Sequence, residues 1–261
     1  MDASPAQAAR RALALLDLTE LGDQATDDDV AALCGRATGP CGNVAAVCVW
    51  PRHVAHARTL LTGTGVRIAT VVNFPTGDEP VAAVVAQTRQ ALADGADEID
   101  LVLPYREVLV GDTTRAAVMI DAVRAEVPHG GHVLKVILET GELVHPDTVH
   151  IAAMLAVTHG ADFIKTSTGK TPVSATLPAT GVMLTVIHDA GRPVGLKPSG
   201  GIRTLDDANA YLHQADGIMG EGWATSATFR FGASGLLTAL IAAIDDPDDR
   251  GGLGAAGTEA Y

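Results

Sequence analysis

The runs EIDLVLP (98–104), HVLKVILET (132–140), DFIKTST (162–168) and PVGLKPSGG (193–201) decide how this chain folds. Each is short and apolar, as strands covered on both faces are. Between them lie Ala-rich stretches with helical periodicity, at 113–126, 147–159 and 178–190. The same alternation extends upstream through VAAVCVW (44–50), VRIATVVNF (66–74) and a helical stretch at 80–94. Downstream it continues with a helical stretch at 204–213 and two weaker strands, DGIMGEG (216–222) and TFRFGAS (228–234), joined by a connection too short for a full helix. Two helices precede all of this, at 5–16 and 26–37, the second with Thr26 as N-cap ahead of Asp27, Asp28 and Asp29.

Eight strand-like runs alternating with helices predict an α/β fold. A (β/α)8 (TIM) barrel with additional N-terminal helices accounts for them better than a doubly wound sheet. Asp100, Lys135, Lys165, Lys197 and the Gly200/Gly201 pair sit within or just after separate strands, and in a barrel those positions converge on one mouth. One domain is expected over 1–246. The Gly-rich segment PDDRGGLGAAGTEAY (247–261) reads as a mobile C-terminal tail.

Composition narrows the function. With 47% hydrophobic and 19% charged residues, the 261-residue chain can bury a large core. No apolar run reaches the ~20 residues of a membrane span. The N-terminus acquires acids early and has no small-residue cleavage site, so a secretory signal is not expected. Cys34, Cys41 and Cys48 form neither a CxxC pair nor an even disulfide set, which suits a reduced, cytoplasmic protein. A net charge of -13 argues against nucleic acid and anionic membranes as partners.

Of 18 basic residues only four are lysine: Lys135, Lys165, Lys170 and Lys197. Where positive charge alone is needed, arginine serves. The lysines are therefore candidates for work that requires losing a proton, with chance clustering as the plain alternative. Lys165 lies inside an apolar strand, where desolvation favours the neutral amine, although a lysine there can also snorkel to the rim. Lys197 has the same setting further along the chain. Two such ammonium groups ~4 Å apart at an effective dielectric of ~20 repel by about 4 kcal/mol. At ~1.36 kcal/mol per pH unit this brings a lysine of ~10.4 close to neutrality, giving the free amine that attacks a carbonyl. Asp100 is flanked by Ile99 and Leu101, so its buried carboxylate must pair, and an ion pair with a barrel lysine competes with a catalytic role. Lys135 is a third inward candidate, with Glu139 at even spacing on the same side of the strand. Cys48, at the end of the first strand, reads as a buried apolar residue, open to alkylation by aldehydes if it reaches the mouth.

KPSGGIRT (197–204) places two glycines before a helix capped by Thr204, a turn suited to a phosphate. STGKT (167–171) and FGASG (231–235) offer two more glycine turns, and late turns are where this fold commonly holds phosphate.

FIKTSTGK, GLKPSGGIR, ADEIDLVLPYR, LKVILETGEL, LLDLTEL and RFGASG, in order from Leu13 to Ile244, resemble the deoxyribose-phosphate aldolases, class I aldolases of deoxynucleoside breakdown. The resemblance implies reversible cleavage of 2-deoxy-D-ribose 5-phosphate to D-glyceraldehyde 3-phosphate and acetaldehyde, with no metal and no cofactor. It implies that Lys165 forms the Schiff base, that Lys197 lowers its pKa and joins the proton relay, and that Asp100 is the relay's acid/base partner. Asp17 and Lys135 would support the substrate hydroxyls, with Thr168 beside them. Gly169, Lys170, Gly200, Gly201, Arg203, Gly232 and Ser234 would surround the phosphate. The family often has two serines where this chain has Ser234 and Gly235; Gly235 keeps only its backbone N–H. The final residue, Tyr261, matches a tyrosine that folds over the site in the family, while by itself it reads as a chain end. The partners implied are small phosphosugars and aldehydes, with a homo-oligomer, a dimer first, as the assembly.

Two rival readings stand beside this one. A metal-dependent aldolase would draw on His53 and His56, or on His129 and His132, but neither pair follows a barrel strand with a third ligand nearby. A non-catalytic phosphosugar-binding barrel would need the glycine turns but not two inward lysines.

Overall fold

The computed structural model describes residues 4–246. Eight parallel strands, β1 (Leu16–Glu20), β2 (Ala46–Val49), β3 (Arg67–Val72), β4 (Glu98–Val102), β5 (Val133–Ile137), β6 (Phe163–Lys165), β7 (Gly195–Lys197) and β8 (Phe231–Ala233), form one sheet in the order β7-β6-β5-β4-β3-β2-β1-β8. The seam between β7 and β8 is held by parallel bridges, Leu196 to Phe229 and Ser199 to Gly232, so the sheet curls into the expected barrel. The helices are α1 (Pro5–Ala14), α2 (Asp27–Ala37), α3 (Val54–Leu61), α4 (Val81–Ala93), α5 (Tyr105–Leu109) and α6 (Thr114–Glu126), then α7 (Thr140–Leu143), α8 (Pro146–Thr158), α9 (Leu177–Asp189), α10 (Leu205–Met219) and α11 (Leu236–Asp245). None of them is long and apolar enough to cross a membrane. The segment 247–261, with the expected tail and Tyr261, lies outside the described residues.

Successive side chains of a strand point to opposite faces, and this parity organises the barrel. Ile68, Ile99, Leu101, Leu134, Val136, Ile164 and Leu196 face outward and join one continuous core with the helices. The opposite parity faces the interior. On the β2–β3 side it supplies a small apolar cluster of Leu21, Cys48, Ala69 and Val71. Around the rest of the ring it supplies charge: Asp17, Glu98, Asp100, Lys135, Lys165 and Lys197, all buried.

Two elements differ from the sequence reading. The opening helix stops at Ala14, and LDLTE forms β1, a strand the hydrophobic pattern does not reveal. Its leucines alternate with Asp17 and Thr19 directly after the helical Leu13, and the alternation merges with the helical period. Conversely, DGIMGEG is not a strand. Helix α10 runs through Ile218 to Met219 and ends at Gly220, whose φ of 94° stops it. The helices at 26–37, 80–94, 113–126, 147–159 and 178–190 form within a residue of those bounds.

Helix α10 is anchored at its start by a capping box. The Thr204 hydroxyl accepts from the Asp207 N–H, and the Asp207 carboxylate accepts from the N–H groups of Arg203 and Thr204. This box fixes the helix that follows the Gly200–Gly201 turn. Thr204→Ala is expected to lower unfolding free energy by about 1 kcal/mol in urea denaturation.

Candidate active site

Register brings the charges together at one level of the barrel. Asp100 of β4 pairs with Lys135 of β5, Ile137 of β5 with Lys165 of β6, and Lys165 with Lys197 of β7. Asp100 is the hub. Its Oδ1 accepts from Lys135 Nζ at 2.7 Å, and its Oδ2 accepts from both Lys165 Nζ and Lys197 Nζ at 2.8 Å. The two expected lysines therefore do converge, their nitrogens no farther apart than twice that distance. Lys197 Nζ also lies 2.5 Å from Asp17 Oδ2, and Lys135 Nζ 2.5 Å from Glu98 Oε2. Below them Arg230 bridges Asp17 Oδ1 at 2.7 Å and Glu98 Oε1 at 3.0 Å, while Arg67 Nε reaches Glu98 at 2.7 Å.

These ion pairs decide the protonation states. Burial alone would push Lys197 down, but Asp100 and Asp17 outweigh it and its pKa is raised. Lys135 is likewise raised, by Asp100 and Glu98 against burial. Burial would raise the Asp100 carboxyl, yet Lys135, Lys165 and Lys197 hold it well below the usual carboxylate range. Asp17 is lowered for the same reason by Lys197, Arg230 and Lys135. The pair of lysines is thus not a bare repelling pair, as the sequence suggests. A carboxylate sits between the two ammonium groups, and Lys197 holds its proton.

Above this cluster opens a cleft of about 950 Å³, large enough for a small phosphosugar. Lys165 lies at its floor. Thr168, Gly169, Lys170, Gly200, Gly201, Arg203, Gly232 and Ser234 all line it, so every residue expected around a phosphate faces one space. Asp17, Asp100, Lys135 and Lys197 lie beneath the floor. Gly200 and Gly201 have φ of 81° and 82°, a backbone that glycine adopts without strain. Lys170 Nζ is held 2.6 Å from Asp23 Oδ1, across the mouth from β1, and lies over the Trp50 ring.

Several residues do other work than the sequence suggests. Glu139 does not extend β5 beside Lys135. The strand ends at Ile137, Glu139 takes φ 57°, and its carboxylate accepts from the Thr168 hydroxyl at 2.5 Å and from Thr171 at 3.2 Å. It anchors the loop after Lys165, and burial raises its pKa despite those hydrogen bonds. Cys48 is fully buried and burial pushes its thiol up, so it is not presented to aldehydes at the mouth. His53 is tied to Asp27 at 2.7 Å and to the Ala25 carbonyl, which uses both ring nitrogens. Glu98 and Arg230 belong to the cluster but escape sequence reading. Glu98 lies two residues before Asp100 on the same strand face, which is the one signal it gives.

Residues 11–238 match the sequence model of the DeoC/LacD family of aldolases. A deoxyribose-phosphate aldolase from Agrobacterium fabrum (strain C58) is 53% identical over 238 residues, which is 91% of this chain and 92% of that protein. The structure of a tetrameric deoxyribose phosphate aldolase from Aeropyrum pernix superposes with a TM-score of 0.69 at 26% identity, covering 92% of each chain. A Toxoplasma gondii ME49 protein, provisionally assigned to the same activity, superposes with a TM-score of 0.85 at 27% identity over 92% of this chain and 97% of that one.

The cluster makes stability depend on acid in a defined direction. Asp17 and Asp100 have depressed pKa values in the fold, so their contribution is complete above about pH 4, the unfolded value, and is lost as pH falls below it. Lys135 and Lys197 are raised, so theirs is complete below about pH 10 and lost above. Asp17→Asn leaves Lys197 and Arg230 short of a buried partner. It is expected to lower unfolding free energy by about 3–5 kcal/mol at pH 7 and to flatten the acid limb, as measured by denaturant titration across pH.

Proposed function

Because the chain belongs to the DeoC/LacD family of aldolases, we propose that it cleaves 2-deoxy-D-ribose 5-phosphate reversibly through an imine on Lys165. The observation that carries this reading is the position of Lys165. It is the one amine of the buried cluster that also borders the cleft, and Asp100 is bonded to it. Glyceraldehyde 3-phosphate and acetaldehyde are the products.

The Lys165 amine attacks C1 of the open-chain aldehyde. The carbinolamine loses water to give an iminium, which draws electrons from the C2–C3 bond. Asp100, hydrogen-bonded to the Lys197 ammonium, takes the proton from the C3 hydroxyl through a water molecule as that bond breaks, leaving glyceraldehyde 3-phosphate and an enamine on Lys165. Protonation at C2 and hydrolysis release acetaldehyde and restore the amine. Lys197 and Lys135 remain ammonium groups throughout, keeping Asp100 an anion until it accepts a proton. Lys135, through its bond to Asp100, and Asp17, through its bond to Lys197, support the substrate hydroxyls, and Thr168, fixed by Glu139, orders the cleft wall above.

The phosphate lies among the N–H groups of Gly169, Gly201 and Ser234, with Lys170 and Arg203 supplying charge, while Gly200 and Gly232, whose N–H groups donate to the Gly232 and Pro198 carbonyls, shape the wall beside it. Lys170 must exchange Asp23 for the phosphate. Ser234 brings a hydroxyl and Gly235 only its N–H. A cytoplasmic, catabolic role follows from this substrate, and exposed Leu109, Val110, Val144 and Ile151 favour a homo-oligomer, a dimer first.

Acetaldehyde with borohydride is expected to add one two-carbon unit, found on the Lys165 peptide by mass spectrometry; an adduct elsewhere, or none, overturns the reading. Lys165→Arg is expected to abolish turnover with an unchanged circular dichroism spectrum. Asp100→Asn should lower kcat by about 10²–10⁴-fold, the usual worth of positioned proton transfer. Lys170→Met should raise KM about tenfold or more for the phosphorylated sugar and leave unphosphorylated deoxyribose unaffected in steady-state assays.

A further inference from the structure

We infer that Arg230 and Glu98, with Arg67 at the lower rim, are positioning residues that set the charge balance beneath Lys165, so that a surplus of cations favours its free amine. The inference rests on Lys165 being the imine-forming residue. Its basis is a count. Below the cleft, Lys135, Lys165, Lys197 and Arg230 face Asp17, Glu98 and Asp100, four cations against three carboxylates, all buried. Arg67 adds a fifth cation to Glu98 from a side chain 36% exposed.

Even without Arg67 the buried groups hold one proton more than the three carboxylates balance, and the contacts decide which of the four can shed it. Arg230 cannot, because a guanidinium stays protonated. Lys197 touches Asp17 and Asp100, and Lys135 touches Glu98 and Asp100. Lys165 has a single oxygen of Asp100 among the described residues, and shares it with Lys197. Two further groups face Lys165 from other elements. Cys48 of β2 has its thiol raised by burial, and Glu139 beyond β5 is raised by burial and held by Thr168 and Thr171. Neither supplies a carboxylate bonded to the Lys165 amine.

Arg230 then does more than close the bottom of the barrel. Through Asp17 and Glu98 it occupies carboxylate charge that would otherwise be free to hold ammonium groups at the level of Asp100. Glu98 acts in the opposite sense, as the anion that keeps the surplus small. A purely structural plug and an electrostatic one make different forecasts. Both lose stability when a member is removed, but only the electrostatic one moves the pH dependence of the chemistry, and in opposite directions for opposite charges.

The experiment measures the rate of acetaldehyde trapping on Lys165 by borohydride against pH in the full-length enzyme, and the pH of half-maximal rate on the acid side. Arg230→Met removes a cation and is expected to move that midpoint upward. Glu98→Gln removes an anion and is expected to move it downward. At ~10 Å and an effective dielectric of ~20, each displacement is about one pH unit. Arg230→Lys keeps the charge and should leave the midpoint in place. Arg67→Gln, at the partly exposed rim, should move it upward by less, and it carries the test if the buried variants do not fold. Shifts in the same direction for Arg230→Met and Glu98→Gln, or slower trapping with every midpoint unmoved, overturn the inference. Absence of any Lys165 adduct in the unmutated enzyme instead sinks the imine reading itself.

Discussion

Charged groups held away from water inside a closed ring of strands are the constraint on which this structure depends. Each ion loses several kcal/mol of hydration on burial, and that loss is offset only when every charge has partners at close range. Asp100 meets the condition for three lysines at once, and Asp17 and Glu98 extend it downward to Arg230. The strands must therefore hold their register closely. A slip of one residue in β4 would turn Asp100 and Glu98 to the helices and Ile99 into the ring, taking the one carboxylate partner of Lys165 and the two nearest partners of Lys135. The small apolar cluster at β2 and β3 fills the remaining interior, where no charge needs an answer.

The same constraint separates two kinds of chemistry. Beneath the floor, contacts are short, dry and alternating in sign, so protons are held tightly and Lys197 stays charged. Above it, glycine turns and Lys170 present donors toward an open cleft. Lys165 stands at the boundary, 3% exposed, with one side to the cluster and one to the space where a substrate fits. An amine in that position experiences the field of the cluster while holding a single contact to it, Asp100 Oδ2. Glu139 serves the boundary from the side: its left-handed backbone turns the carboxylate onto Thr168, fixing the wall that follows Lys165 in sequence.

Much of this was legible in the residues. Near-continuous apolar runs alternating with helical stretches gave the barrel, because outward and inward faces are both buried. Lysine scarcity pointed to Lys135, Lys165 and Lys197, and the late glycine turns to residues that line one cleft. What stayed hidden has physical reasons. The strand LDLTE carries its polar residues inward, against the habit of a core-facing strand, and so reads as the end of a helix. DGIMGEG mimics a strand because its apolar pair lies at the last turn of α10, just before Gly220. Spacing alone could not say that a carboxylate would stand between the two lysines, since Asp100 comes from a strand two places away in the sheet from Lys165. Glu98 and Arg230 pair across the barrel between positions distant in sequence, and pattern reading has no access to such contacts.

In the proposed reaction Lys165, alone among three clustered lysines, bonds covalently to the sugar. A crystal structure of the enzyme soaked with 2-deoxy-D-ribose 5-phosphate and flash-cooled tests it most directly. An imine at Lys165 gives continuous electron density from Lys165 Nζ to C1, with the phosphate against Gly200 and Gly201. Density joining the sugar to Lys135 or Lys197, or a bound sugar with all three amines free, would contradict it.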